Sequence, residues 1–202
     1  VALVTPTSEL EAVNIMLSSI GEAPVSTLND PTLVDVVLAQ SILNETSVDV
    51  QSSGLHCNTE INYPLEPNVN GEVLVPANCV RIDTSERSSH IDVVQRGTKL
   101  YDREKRSDSS FSGTLYVEMV LLLAFEDLPQ HVKRYVTVKA TRRFQGRFMG
   151  SETLAGFTQA DEQEALLMFE RAEAHTEDNN ILKDSYDTLK VVARGSHRRS
   201  IR

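Results

Sequence analysis

Carboxylates are the most abundant reactive groups in this chain, and a pair of them could cleave a glycosidic bond by acid/base chemistry. Glu126 and Asp127 are adjacent, near a predicted strand–helix junction, and Glu60, Glu66 and Glu72 fall among predicted strands. Such chemistry depends on the distance between two carboxyl groups in space, which spacing along the chain does not fix. The plainer reading has Asp127 capping a helix and the others solvated. The five histidines, His56, His90, His131, His175 and His197, are scattered, with no second ligand at i+3 or i+4, so no metal site is expected. Cys57 and Cys79 match no zinc spacing and read as reduced core thiols, in keeping with folding in a reducing cytoplasm. Phosphate-loop, dinucleotide, H-E-x-x-H and G-x-S-x-G signatures do not occur. No catalytic residue, metal or cofactor is assigned.

The charges carry more information. The 202 residues have a formal net charge of −9, which argues against a chain devoted to binding nucleic acid. That charge is partitioned. Residues 1–128 carry −12, residues 129–150 carry +6 with no acid, residues 151–182 carry −7, and residues 183–202 carry +4. Within the basic block, Lys139, Arg143 and Arg147 are spaced by four and share a helical face, with Arg142 beside them. The acidic block that follows holds Glu162, Glu170, Glu173 and Glu177. A basic helix followed by an acidic one fits pairing of opposite surfaces, within a subunit or between copies, better than it fits DNA reading, for which no recognition motif is present. The basic C-terminus, with Arg194, Arg198, Arg199 and Arg202, reads either as a solubilising end or as an arm that orders on a neighbouring protein.

These side chains must be positioned by an alternation of periods. Ser8 and Glu11 form a capping-box pattern ahead of Leu10, Val13, Met16, Leu17 and Ile20 at helical spacing, and Gly21 and Pro24 stop the helix. Asp30-Pro31 predicts the start of a second helix with its apolar stripe from Leu33 to Val50, ended near Gly54. Alternation from Leu55 through Cys57, Thr59 and Ile61 predicts a strand. Further short strands are expected at Glu72–Val75 and Cys79–Ile82, followed by a hairpin of Ile91–Arg96 and Lys99–Asp102 around Gly97-Thr98. Asp102 to Gly113 is Ser-rich and polar and is expected to be a mobile loop, and Thr114–Leu123 is the clearest strand. Val132, Val136, Ala140, Phe144 and Phe148 then recur every four residues, and a fourth helix is expected from about Glu152 to Glu177, with Leu154, Phe157, Leu166, Phe169 and Ala172 facing inward. The last 20 residues show no sustained apolar face.

The expected fold is α+β: a bundle of about four helices with a small antiparallel β-subdomain inserted between helices two and three. Residues 1–54 supply the N-terminal helical pair, 55–127 the β-rich insertion, 128–180 the C-terminal helical pair and 181–202 a basic tail. The longest apolar run, Met119 to Phe125, is too short for a membrane span, which needs about 20 residues, so no membrane insertion is expected. Val1 to Pro6 has neither a basic region nor an apolar core, so no signal peptide is expected.

Four segments, taken in order, make the chain recognisable. They are Ala12-Val13-Asn14-Ile15-Met16-Leu17 with Ile20-Gly21-Glu22-Ala23-Pro24-Val25; Tyr63-Pro64-Leu65-Glu66-Pro67-Asn68 with Asn70-Gly71-Glu72-Val73-Leu74-Val75-Pro76-Ala77-Asn78; Arg96-Gly97-Thr98-Lys99-Leu100-Tyr101-Asp102; and Phe125-Glu126-Asp127-Leu128-Pro129 leading to Lys139-Ala140-Thr141-Arg142-Arg143-Phe144-Gln145 and Arg147-Phe148-Met149-Gly150. Over roughly residues 8–180 this order resembles the tail tubular protein A family of short-tailed bacteriophages. One departure is Leu55, where the family pattern often has an aromatic residue after Ser53-Gly54.

The resemblance implies a non-enzymatic virion protein: a head–tail connector forming a dodecameric ring between the portal protein and the tail nozzle (tail tubular protein B). Tail fibres attach further down, genomic DNA passes through the centre, and the free chain is allowed to be a monomer. On this reading Lys139, Arg142, Arg143, Arg147 and the tail arginines are candidates for a portal or subunit interface. Glu162, Glu170, Glu173 and Glu177 are candidates for an acidic channel wall or for subunit pairing. A glycan hydrolase activity housed on the same tail protein, and a DNA-binding module, are the alternatives.

Overall fold

The computed structural model describes residues 7–29, 33–148 and 152–176. The first helix, α1, spans Glu9–Ser18. It starts where Ser8 Oγ accepts from the Glu11 N–H, one half of the expected capping box. At its end the Glu22 and Gly21 N–H groups donate back to the Leu17 and Ser18 carbonyls, a Schellman closure. Asn14 then holds the outgoing loop, accepting from the Val25 N–H at 2.8 Å and donating to the Val25 carbonyl at 3.0 Å.

The second helix, α2, spans Val34–Gln51, with Leu33 at a cap position that has no side-chain hydrogen bond. The start therefore falls later than the predicted Asp30-Pro31, which lies outside the described residues. Gly54 follows the helix at φ +84°, where a Cβ would approach the Arg81 guanidinium at 2.8 Å and Val120 at 3.3 Å. Both the left-handed backbone and the tight space favour glycine there.

The predicted strand from Leu55 is corrected in its first half. His56–Asn58 form a 3₁₀ turn, and β1 runs Thr59–Leu65. The cause is Asn58, whose buried side chain folds back to accept from the Leu55 N–H at 2.7 Å and so closes the turn. Next come β2 (Cys79–Thr84), β3 (Val93–Arg96), β4 (Lys99–Asp102) and β5 (Leu115–Leu121). The antiparallel order is β1-β5-β2, with β3-β4 a separate hairpin. β5 is central, burying Leu115, Val117 and Met119 on one face as its alternation requires. Val73 to Val75 lies alongside β4 through Leu100 N–H to Val73 and Val75 N–H to Thr98 hydrogen bonds, but it is a bridge and not a full strand.

The Ser-rich loop after β4 is tied down at both ends. Asp102 is buried and accepts from the Glu104 and Lys105 N–H groups, and Phe111 is buried in the β core. Gly71, at φ +74°, passes so close to the Ser109 carbonyl that a Cβ would sit 2.6 Å from it.

A 3₁₀ turn at Phe125–Asp127 returns the chain to helix: α3 spans Gln130–Phe148 and α4 spans Glu152–Thr176. Val132, Val136, Ala140 and Phe144 are fully buried as their spacing predicts, whereas the side chains of Phe148, Leu154 and Phe157 lie outside the described set. Two cores result. One gathers α1, α2 and α3 with Ala165 of α4; the other gathers the strands and the 73–75 segment. The fold is α+β, with four α-helices among the described residues and the strands between the second and third.

Candidate interaction surfaces of the helical bundle

The basic helix α3 is largely neutralised from within. Buried Lys133 donates to the Glu126 carbonyl at 2.9 Å, with the Glu126 carboxylate 3.7 Å away. Arg142 pairs with Glu162 of α4 at 2.7 Å. Arg143 pairs with Asp49 of α2 at 2.8 Å and donates to Thr46 Oγ1 at 3.2 Å. Arg147 reaches Glu45 of α2 at 3.5 Å. Lys139 lies 5.4 Å from the centre of the Tyr135 ring, and exposed Arg134 has no ion pair among the described residues. Three of the four α3 interface candidates thus hold carboxylates of their own chain.

The acidic candidates separate in the same way. Glu162 and Glu173 turn inward. The Glu173 carboxylate takes His131 Nε2 at 2.7 Å on one oxygen and the His56 N–H at 3.0 Å on the other. It thereby fastens the end of α4 to α3 and to the start of the β-subdomain, beside the stacked Tyr135 and Phe169 rings. The negative charge of Glu173 also acts on Cys57: burial first, and Glu173 second, push its thiol above the ordinary value. Cys79 is raised by burial as well, and both thiols are free. Glu170 is exposed, and Glu177, Arg194, Arg198, Arg199 and Arg202 lie outside the described residues.

Two structural positions carried no obvious sequence signal. Gln51 and Asn58 form a buried amide joint between bundle and sheet. Gln51 accepts from the Leu123 N–H at 2.8 Å and donates to the Leu123 carbonyl at 3.1 Å. Asn58 donates to the Gln51 carbonyl at 3.1 Å and the Leu121 carbonyl at 2.9 Å. Every one of these bonds joins groups that would be costly to bury alone. The signal available was two amides at either end of a helix-to-strand turn where the flanking pattern is apolar.

The paired-carboxylate reading finds different work for its members. Glu126 accepts from the Glu9 N–H at 2.8 Å and so caps α1, while Asp127, the predicted cap of α3, makes no side-chain hydrogen bond among the described residues. Glu72 pairs with Lys99 and takes a hydrogen bond from Asn68; those bonds, Lys99 foremost, hold its carboxyl below the usual value and raise the Lys99 ammonium. Glu66 accepts from Thr114 Oγ1 at 2.6 Å. Among the described residues no group of three or more His, Cys, Asp or Glu is placed to hold a metal, and no helix is long and apolar enough to cross a membrane.

The segments that made the sequence recognisable therefore have structural duties: the Asn14 clasp, the Asn68–Glu72–Lys99 turn, the Arg96 guanidinium 3.5 Å over the Tyr101 ring, and the Glu126 cap. A family model described as Tube, tail tubular protein, matches residues 10–179. Among curated proteins, the chain is 28% identical over 145 residues to a tail tubular protein A of Klebsiella phage KP34, covering 72% of this chain and 75% of the relative. With a family model spanning most of its length, and with the residues of the shared segments holding the fold together, this chain belongs to the tail tubular protein family of phage tail proteins.

Proposed function

We propose that the chain is a non-enzymatic connector subunit that assembles as a dodecameric ring between the portal protein and the tail nozzle. It assembles in the host cytoplasm, tail fibres attach to the finished tail, and the ring lines part of the channel through which DNA is ejected. The observation that carries this reading is the family match over residues 10–179. The placement of charge supports it. α3, the strongest basic block in the described residues, spends three of its six cations on α2 and α4, and exposed acids such as Glu11, Glu22 and Glu170 remain. A negative wall repels phosphate and lets DNA slide without adhering.

The Gln51–Asn58 joint supports a mechanical role, since it lets the bundle and the β-subdomain transmit load as one piece. We take the divisions at 54/55 and 127/128 to separate a bundle and a β-subdomain that contact different partners. The test is to mix purified chain with portal rings and measure particle mass and symmetry by native mass spectrometry and electron imaging. A twelve-fold ring on the portal is expected. Portal rings that stay bare at saturating chain concentration refute the reading, whereas a monomer in the absence of portal is compatible with it.

A further inference from the structure

α2 is apolar on two sides. Its inner face sends Val36, Ala39 and Ile42 into the bundle core. Its outer face carries Val34, Val37, Ser41, Asn44 and Val48, all exposed, with Val34 73% and Val37 47% open to solvent. Intervals alternating between three and four lay these residues in one line along the helix, the form of a seam between helices. The line bears no charge, in a chain where 24% of residues are charged. The acids on its flank, Glu45 and Asp49, are engaged by Arg147 and Arg143 of α3. A helix that is apolar on both faces is one that is covered on both.

The same chain carries a surface that fits this ridge. A groove of about 560 Å³ lies between α1, α3 and α4, and no α2 residue lines it. Its floor is apolar, with Ile15 and Met168 exposed in it beside Val138 and Ala165. Its rim holds two charges of each sign, Arg134 and Arg142 from α3 against Asp161 and Glu164 from α4. A segment of either net charge would be drawn by one pair of these groups and opposed by the other. An uncharged ridge fills the floor and leaves the rim groups to one another and to water. The lengths agree as well. The groove follows α4 from Asp161 to Met168, and Val34 to Ser41 covers the same seven-residue step, about 11 Å of helix.

We propose that the uncharged ridge of α2 in one copy of this chain seats in the α1–α3–α4 groove of the next copy, with Val34 and Val37 against Ile15 and Met168. Ridge and groove are different faces of one chain, so the contact is heterologous and repeats head to tail. The closure of such a series into a ring rests on the connector reading above; the contact between two copies does not.

Val37→Cys and Met168→Cys are made in separate chains and together in one chain, and each preparation is treated at high concentration with a short thiol-specific crosslinker, with and without portal rings. Both positions are exposed, and an unchanged melting temperature checks that the fold is kept. Mixing the two single variants is expected to give a 37–168 crosslinked dimer, identified by peptide mass spectrometry. The double variant is expected to give a ladder of dimers, trimers and larger species. Adding Val34→Glu or Val34→Lys to the double variant should each cut the ladder at least fivefold, because the rim opposes both signs, whereas Val34→Leu should retain it. Absence of the 37–168 link both with and without portal overturns the proposal, as do 37–37 or 168–168 dimers in its place. A ladder that either charged variant leaves unchanged or strengthens overturns it too. Twelve-fold rings on the portal without the 37–168 link refute this contact and leave the connector reading standing; the link formed in solution beside bare portal rings does the reverse.

Discussion

Arg143 decides whether the basic helix serves the fold or a partner. Its guanidinium lies 2.8 Å from Asp49 and 3.2 Å from Thr46 Oγ1, with the arginine side chain 34% exposed and the aspartate 49%. At that exposure solvent screens the ion pair, which contributes about 0.2–1 kcal/mol. The hydrogen bond to Thr46, which is fully buried, adds about 1 kcal/mol. Arg143→Ala is therefore expected to cost about 1.5 kcal/mol. Arg143→Glu adds repulsion from Asp49 of about 1 kcal/mol at 4 Å in a water-like dielectric. At about 2–4 °C per kcal/mol for a chain of this size, the reversal lowers Tm by roughly 5–10 °C. The assay is denaturant unfolding of a double-mutant cycle, Arg143→Ala against Asp49→Ala, at low and high salt. A coupling of about 0.5–1 kcal/mol that shrinks with salt is expected. Coupling below about 0.2 kcal/mol would show that the pair does not hold in solution. If Arg143→Glu with Arg147→Glu kept full stability but no longer docked on portal rings, both arginines would belong to the partner and the intrachain assignment would be wrong.

Asn58→Ala leaves the Leu55 N–H and the Gln51 and Leu121 carbonyls without their amide partner, at about 1–3 kcal/mol for each group that water cannot reach, so a loss of roughly 3 kcal/mol is expected in urea unfolding. Glu72→Gln tests the lowered carboxyl: the stabilisation by Lys99 and Asn68 is present above the ordinary carboxylate value of 4.5 and is lost as pH falls through the lower folded value, so parent and variant should converge in acid and diverge at neutral pH. Parallel melting curves at every pH would contradict this. Cys57 should alkylate slowly at neutral pH, and Glu173→Gln should shift its rate profile to lower pH, because one of the two causes raising the thiol is removed; an unmoved profile would leave burial as the sole cause. Binding to non-specific duplex DNA should be weak, with a salt slope near zero. A steep slope, equivalent to several neutralised phosphates, would restore the DNA-binding alternative.

The parts of the fold that were legible are those decided by local period. The four-residue recurrence from Val132 to Phe144 and the alternation from Leu115 to Met119 each meet one core, and the structure buries both runs. The alternation of Leu55, Cys57 and Thr59 misled because a side-chain amide can replace a ladder bond: Asn58 turns inward and makes a 3₁₀ turn out of what periodicity reads as strand. Asp127 and Glu126 exchanged roles for a related reason. The helix end that needed a carboxylate was α1, more than a hundred residues away, and no local pattern carries that distance. The Gln51–Asn58 joint was hidden by the same limit, since its partners at Leu121 and Leu123 come from the far side of the insertion.

Charge shows the limit most clearly, and also what it means for function. Segregation of charge into blocks looks like a set of surfaces facing outward. A bundle reverses that inference, because helices of opposite sign are those that pack with least conflict along their flanks. α3 meets α4 next in sequence and α2 about a hundred residues earlier, and its arginines close on acids from both. Four of its six cations are matched within the chain, Arg142, Arg143 and Arg147 by these acids and Lys133 by Glu126 of the preceding turn. Among the described residues, exposed carboxylates such as Glu11, Glu22 and Glu170 are left outside these pairs. On the proposed connector reading, a phosphate backbone passing the bundle meets those acids, while four of the six α3 cations are committed to the fold.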